Sequence, residues 1–453
     1  MLSNSPRGKS SSTAAPLEKV PSKGWITLFA GIAANLCLGI LYAFSVWKAA
    51  LLANKDHIAG SVMGGMNAGW QYLSDSQATW AFSLCGLMFC VFMFPGGRIQ
   101  DKLGPRVSVT IGGLSLALGC IISGLMRSYT GLILGFGIFG GMGIGIGYAG
   151  PIPAAMKWFG PHRRGLVAGL VVGGFGAAAI YISALVGLLI KAYGISNSFY
   201  IMGVLFSVVI IIVGRLLYTP PEGYAPPAPA ASTKVAVKTS PASDEWTVSE
   251  TIKTWQCFVL VLMGVCGCQA GLLVAVNATP MLFKTAFSLV FFAANAWLIA
   301  SYGGFMNMTG RIATGFYSDK IGRKNAYVLN ALLCVVCLFL MPSIMRSGNV
   351  FLLFLTVGIS YWQIGGTLTI LPAMTADYFG QKNLGTNYGL IFVLGAVSFF
   401  MPQIGAFIKD TTGSLDYAFY ISGMFLLVGI GPCIALRKPV KKKAEVVSPA
   451  LQA

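Results

Sequence analysis

Charge is scarce in this chain. Asp, Glu, Lys and Arg make up 10% of its 453 residues, against roughly a quarter in a soluble domain. Acids number only 13, and histidine occurs twice, as His57 and His162. With 56% apolar residues and so little charge, a large water-soluble enzyme is excluded, because water could not cover that much apolar surface. Two histidines leave no zinc site of the usual Cys/His spacing. The ten cysteines lie mostly in apolar runs (Cys85, Cys90, Cys120, Cys266, Cys268, Cys334, Cys337) and read as small apolar helix residues. No metal site and no cofactor are therefore expected. No Ser/His/Asp or paired-carboxylate constellation is present, so the chain does not read as an enzyme.

What is abundant is apolar sequence in long runs, with 57 glycines and a mean hydropathy of +0.75. A bilayer core takes roughly 20 apolar residues per helix. Runs of that size predict spans near 25–47, 78–97, 106–126, 131–155, 165–190 and 197–217, then near 256–281, 291–317, 326–345, 350–375, 385–408 and 417–436. The expected fold is all-α and membrane-integral, with twelve transmembrane helices. Residues 1–24 are polar and basic, with no short apolar segment of a signal peptide, and are expected to be a cytoplasmic tail. Residues 25–218 form the first six-helix half, 219–254 a Pro/Ala/Ser-rich cytoplasmic linker, 255–436 the second half, and 437–453 a second cytoplasmic tail.

The formal charge of +18 would suggest nucleic acid in a soluble protein. Here it follows the positive-inside rule. Loops assigned inside, with the adjoining span ends, hold 23 of the 31 Lys/Arg; those assigned outside hold seven, Lys48, Lys55, Arg127, Lys191, Lys284, Arg346 and Lys409. Both termini are expected in the cytoplasm and no nucleic acid is implied. Gly145-Ile-Gly-Tyr-Ala-Gly150 matches G-x-G-x-x-G but sits in an apolar span with no preceding strand, so the phosphate-binding context is missing. With Gly140, Gly141 and Gly143 it suits close helix packing instead. Asn277-Ala-Thr and Asn307-Met-Thr match glycosylation sequons by accident, since both fall within spans. Trp25, Trp47, Trp80 and Trp255, near span ends, read as interfacial belt residues.

The halves repeat. Gly97-Arg-Ile-Gln-Asp101-Lys102-Leu-Gly104-Pro-Arg106 follows the second span, and Gly315-Phe-Tyr-Ser-Asp319-Lys320-Ile-Gly322-Arg323-Lys324 follows the eighth, 218 residues on. A weaker pair, Phe159-Gly160 with Gly165 and Gly169 against Phe379-Gly380 with Gly385 and Gly389, follows spans four and ten. Parallel repeats with equivalent loops are a transporter layout, in which two bundles rock about a site between them.

These twin loops resemble the signature loop of the major facilitator superfamily. Tyr42-Ala-Phe-Ser-Val-Trp47, the stretches Gly147-Tyr148 to Trp158-Phe159 with Arg164-Gly165, Gly310-Arg311 to Ser318-Asp319, and Asn387-Tyr388-Gly389 are similar to its oxalate:formate antiporter family, related to the monocarboxylate transporters. The resemblance runs from about residue 25 to 436. It implies the major facilitator fold, two six-helix repeats, alternating access, and a latch at the twin loops formed by Asp101, Lys102, Arg106, Asp319, Lys320 and Arg323. Exposed pairs of this kind contribute about 0–1 kcal/mol each, which suits a latch that must open in every cycle.

Arg311 is the one cation well inside a span. It lies eight residues before Asp319, about 12 Å into the membrane at 1.5 Å per residue, and the first half carries Met93 at the equivalent place. An intramembrane charge costs at least about 2.5–3.5 kcal/mol on insertion scales and usually faces a cavity. Gly304, Asn307, Arg311 and Gly315 share one helix face, small or polar throughout, whereas Ile299, Phe305 and Ile312 look like the lipid side. No acid lies in the interior of any predicted span; Asp377 stands at the inner end of span ten. An anionic substrate is thus the natural partner of the guanidinium, whose planar fork matches a carboxylate. Snorkelling to the inner interface, or pairing with helix-end carbonyls, is the structural alternative.

The resemblance implies that Arg311 binds a substrate carboxylate, with Asn307 orienting it and Tyr42 and Tyr148 contributing from the other half. Oxalate-carrying members have a lysine seven residues after the span-eleven tyrosine, where this chain has Gly395. Their span-ten aromatic positions read Ile364 and Leu368, and a span-five tyrosine position reads Phe175. One cation and a more aliphatic wall favour a monocarboxylate such as lactate, pyruvate or formate over oxalate. Asn307 also replaces the aspartate that couples protons in animal monocarboxylate transporters, which favours exchange against a counter-anion while leaving proton symport open. Tyr302, Tyr361, Trp362, Gln363 and Gln403 are further candidates for the path.

The expected protein is a monomer in the inner or plasma membrane, with lipid around it. Its partners are a small organic anion and either a proton or a counter-anion. The alternatives are a proton-linked transporter of neutral or cationic compounds, and a membrane anion sensor that does not transport.

Overall fold

In a computed structural model of the chain, residues 19–53, 58–159, 163–221, 224, 226–227, 245–286, 289–380 and 383–441 are described. Most of the linker expected at 219–254, together with residues 1–18 and 442–453 of the tails, lies outside these residues. Among the described residues there is no strand, only two isolated bridges. Ten stretches are long and apolar enough to cross a membrane. One of them, within the Arg164–Arg215 helix, is broken at Gly194 into two spans. Leu298–Ile321 adds another, carrying Asn307, Arg311 and Asp319 among its apolar residues. The described chain thus contains twelve spanning segments, as expected.

We label them α1 (Ser22–Leu51), α2 (Asp75–Leu103), α3 (Pro105–Met126), α4 (Tyr129–Met156), α5 and α6 (164–193 and 195–215), α7 (Trp255–Thr285), α8 (Leu298–Ile321), α9 (Arg323–Ser347), α10 (Val350–Phe379), α11 (Thr386–Thr412) and α12 (Asp416–Ala435). The protein is an integral, multi-pass membrane protein. We call the end carrying the twin loops the loop face and the opposite end the far face.

The repeat is visible in the backbone. Gly104 and Gly322 close the twin loops with φ of 88° and 90° and extended ψ, a conformation that essentially only glycine adopts. Residue 106 of the first loop and residue 324 of the second then do the same work. Arg106 Nε donates to the Leu217 carbonyl at 3.0 Å, and Lys324 Nζ donates to the Leu436 carbonyl at 3.0 Å. Each cation thereby satisfies an orphan carbonyl at the end of the sixth helix of its half.

Close packing inside the first half rests on the glycines of α4. A Cβ on Gly112 would lie 2.4 Å from the Gly147 nitrogen, one on Gly119 2.5 Å from the Gly135 carbonyl, and one on Gly145 2.5 Å from the Phe89 carbonyl. The G-x-G-x-x-G stretch is therefore a helix-contact surface. The halves meet where α1 packs on α7, α2 on α11 and α5 on α8. All described cysteines are free and buried.

Three expectations are corrected. Trp47 is not a belt residue: it is fully buried, donates to Ser198 Oγ at 2.8 Å and stacks on Phe199 at 4.7 Å, because α1 runs on beneath the α6 end. Trp25, Trp80 and Trp255 are exposed as expected. Ile299 is buried, while Phe305 and Ile312 do face outward, since the far end of α8 is enclosed by its neighbours. The view that nothing acidic is buried in a span also fails. Helix α2 starts three residues earlier than predicted, at Asp75, whose side chain is 2% exposed and pairs with a fully buried Lys48.

Candidate functional site

Helix α8 brings Arg311 to the seam between the halves. The residue is 5% exposed. Its Nε donates to Asn307 Oδ1 one turn earlier at 2.9 Å, and Nη1 points across the seam to the Val172 carbonyl of α5 at 3.4 Å. Small residues permit this approach. A Cβ on Gly176 of α5 would come within 2.7 Å of Asn307 Oδ1, and one on Gly304 of α8 within 2.8 Å of the Ala179 Cβ. From the other side Gly365 of α10 lies against the α8 backbone, where a Cβ would meet the Asn307 carbonyl at 2.3 Å. Thr369 Oγ1 donates to the Arg311 carbonyl at 3.2 Å.

Tyr42 of α1 and Tyr148 of α4 bring their hydroxyls within electrostatic range of the guanidinium. Phe175 of α5 holds both rings edge-on, 5.6 Å from Tyr42 and 5.2 Å from Tyr148. Among the described residues no carboxylate pairs with Arg311; its surroundings are an amide oxygen, a helix carbonyl and two phenols. Asn307 Nδ2 is fully buried and has no hydrogen-bond partner among them. A buried donor left unpaired costs about 1–3 kcal/mol, so the cluster of cation and amide is short of acceptor oxygens.

Beside this cluster is a cavity of about 50 Å³ lined mainly by apolar side chains, among them Tyr42, Phe89, Cys268, Ile364, Leu368 and Phe392. Gly395 lines it too, with open space where its Cβ would stand.

The six residues expected at the site are thus brought together: Arg311, Asn307, Tyr42, Tyr148 and Phe175 as one contact group, and Leu368 in the adjoining cavity wall. Gly315, also on the Arg311 face, is half-buried. Of the further candidates, Tyr361 is buried with its hydroxyl unpartnered and in electrostatic range of Tyr42. Gln363 donates to Thr367 Oγ1 at 3.2 Å, Tyr302 packs on Phe354 at 5.3 Å, Trp362 packs against Gly310, and Gln403 lies at the far face.

Sequence reasoning missed Phe89, which lies 5.4 Å from Tyr148, 5.6 Å from Phe175 and 5.6 Å from Phe392, tying both halves together beneath Arg311. A phenylalanine in an apolar span carries no signal of its own. Cys268, which lines the cavity, and Tyr388 are both in electrostatic range of Arg311 and were likewise not singled out as site residues.

At the loop face the residues expected to act as a latch divide by half. Arg323 pairs with Asp319 at 2.5 Å and with Asp377 at 3.8 Å, all within the second half. In the first half Arg106 also lies over the Tyr218 ring at 4.9 Å, while Asp101, Lys102 and Lys320 are exposed. Asn277 and Asn307 are fully buried, so neither sequon is open to glycosylation in this structure.

A family model, that of the Major Facilitator Superfamily, matches residues 27–402 and 292–452. The chain belongs to the Major Facilitator Superfamily, and the protein is a membrane transporter rather than an enzyme. Its relatives include the uncharacterised MFS-type transporter YhjX of Escherichia coli, 26% identical with 82% of this chain and 84% of that protein covered. The oxalate:formate antiporter of Oxalobacter formigenes is 27% identical, covering 78% of this chain and 81% of its own. Monocarboxylate transporter 12 of Rattus norvegicus is 25% identical, covering 78% and 76%. The fold matches a partially occluded inward-open xylose transporter XylE from E. coli with a TM-score of 0.64 at 13% identity, over 90% of this chain and 97% of the other.

Proposed function

We propose that this transporter carries small organic anions, monocarboxylates such as lactate, pyruvate or formate in preference to oxalate, by alternating access. The observation that carries the reading is Arg311: a buried guanidinium with no described carboxylate partner, beside an Asn307 Nδ2 that has no described acceptor. A bound carboxylate would supply the missing charge and acceptor oxygens together. Tyr42 and Tyr148 would donate or orient from the first half, Phe175 would set their rings, and Leu368 would pack the apolar body of the substrate. The relatives named for oxalate:formate antiport and monocarboxylate transport support the same substrate class. Exchange against a counter-anion is the favoured coupling, because no acid is found against Arg311 among the described residues.

The Lys/Arg asymmetry supports a cytoplasmic loop face, with both termini and the 219–254 linker on the same side of an inner or plasma membrane. The twin loops act there as the latch, Arg323 bridging Asp319 and Asp377 and Arg106 holding the end of α6. Monomers would suffice, since the site lies between the halves of one chain.

The test is uptake of labelled lactate, pyruvate, formate and oxalate into proteoliposomes, wild type against Arg311→Ala, with and without a trans anion and a pH gradient. Uptake of a monocarboxylate that needs Arg311 and is stimulated by trans anion supports the proposal. Dependence on the pH gradient would keep the site and replace exchange by proton symport. Normal transport by a well-folded Arg311→Ala protein would overturn the anion site.

A further inference from the structure

The far face holds a second buried charge cluster. Lys48 of α1 is fully buried and uses all three ammonium protons: it donates to Asp75 Oδ1 at 2.5 Å, Thr79 Oγ1 at 2.8 Å and Asn277 Oδ1 at 2.7 Å. The other Asp75 oxygen accepts from Lys409 of α11. Asp410, the next residue of α11, accepts from the backbone N–H groups of Asp75 and Ser76 at 3.0 and 2.8 Å, so a carboxylate of the second half caps the N-terminus of a first-half helix. Gln403 donates to Ser76 Oγ, and Ser45 and Thr279 share a hydrogen bond of 3.1 Å.

This cluster has a seam. Lys48, Thr79 and Asp75 belong to the first half, Asn277, Lys409, Asp410 and Gln403 to the second. Among the described residues, Lys409–Asp75 is the one ion pair that crosses between the halves; those of the loop face, Arg323–Asp319, Arg323–Asp377 and Lys441–Glu250, involve no residue of the first. Charges also balance within the cluster, two lysines against two aspartates.

We propose that Lys48, Asp75, Lys409 and Asp410 are the far-side gate of the transport cycle, closed in this structure, and that it parts along the Lys409–Asp75, Lys48–Asn277 and Asp410–α2 contacts. The Lys48–Asp75 pair stays intact on the first half. Parting there leaves neither buried ion of that pair alone, which is the costly event. Lys409, whose side chain is 27% exposed against 0% and 2% for Lys48 and Asp75, is the ion that water reaches first. The gate rests on the protein being a transporter and not on the identity of the anion.

The experiment is a distance measurement on the full chain in nanodiscs, without substrate. Spin labels at Asn197→Cys and Ser347→Cys, exposed positions at the far-face ends of α6 and α9, report the separation of the halves. Protein lacking the two new cysteines sets the background from the buried native ones. Lys409→Met and Asp410→Asn, which leave Lys48–Asp75 in place, should each shift the closed-to-open ratio by about tenfold toward the longer distance. Lys409→Arg should restore the closed distribution. Arg346→Gln, which breaks an exposed pair with Asp416 inside the second half, should change nothing. A Lys48→Met/Asp75→Asn double variant removes both buried charges at once and should open the far face as well. If the Lys409 and Asp410 variants both keep the wild-type distance distribution while remaining monodisperse, the gate assignment is wrong. Because no substrate is present, that result would leave the anion proposal standing, and loss of the anion reading would leave the gate standing.

Discussion

Gly176 of α5 faces Asn307 of α8 so closely that a methyl group on it would lie 2.7 Å from the Asn307 amide oxygen and 3.2 Å from Arg311 Nε. The partner atoms are side-chain tips that can move. Gly365, on the opposite side, would put its methyl 2.3 Å from the Asn307 backbone carbonyl, which cannot move without bending α8. The two substitutions should therefore separate. Gly365→Ala should destabilise the fold by about 1–3 kcal/mol as overpacking, seen as a lower thermal midpoint. Gly176→Ala should leave the midpoint nearly unchanged and weaken anion binding by disturbing the Asn307–Arg311 pair. Equal effects of both on stability would contradict this account.

Arg311 itself should show the signature of a residue kept for function. Arg311→Met orphans no described carboxylate, so the variant should melt at the same or a higher temperature while losing transport. A saturating monocarboxylate should raise the wild-type midpoint, with stabilisation of about 2.7 kcal/mol at a hundredfold excess over Kd, and should not move that of the variant. Arg311→Lys keeps the charge but not the planar fork and should lose at least about tenfold in transport. A variant that unfolds early would mark the arginine as structural.

The phenols provide a finer test. Tyr148→Phe and Tyr42→Phe each delete one hydroxyl beside the guanidinium and leave the ring against Phe175. Loss of one hydrogen bond is worth about 0.5–1.5 kcal/mol, up to roughly tenfold in Kd. Binding measured by calorimetry or by ligand-dependent melting should fall by that much for at least one of the pair. No change in either would remove the tyrosines from the site.

Gly395 offers a gain of function. It lines the cavity, its φ is −67°, and nothing stands within 4 Å of its Cβ direction. Gly395→Lys should place a second cation there and shift preference from monocarboxylates toward oxalate. Competition of labelled lactate uptake by oxalate is the measurement. Unchanged selectivity in a protein that still transports would show that cation number does not set the preference.

At the loop face, Arg323→Gln removes pairs to Asp319 and Asp377. These groups are partly exposed, so stability should change by no more than about 1 kcal/mol. The balance between the two orientations of the carrier should shift, read as altered exchange rate with an unaltered Kd for the anion. A change confined to Kd would argue against a latch.

Much of this protein was legible in its sequence. Run lengths of apolar residues placed the twelve spans, because every helix in lipid must satisfy its own backbone and cover the same thickness. The largest misses are at the start of α8 (291 expected, Leu298 found) and the end of α2 (97 expected, Leu103 found). Repeated Asp/Lys/Gly loops exposed the internal repeat, and a lone arginine among small and polar neighbours marked the candidate site. The membrane penalty on charge makes such an exception informative.

Other features required the tertiary structure. Lys48 and Asp75 look like residues of a span end and a loop, since burial depends on what the second half lays over them; Asn277, Lys409 and Asp410 come from more than 200 residues away. Phe89 and Phe392 are ordinary apolar residues until the halves close and set their rings 5.6 Å apart. Local sequence determined what could enter the membrane and where charge was anomalous, because those depend on each segment's own transfer free energy. Which charges are buried together, and on which side the halves are joined, was decided only by the packing of one half against the other.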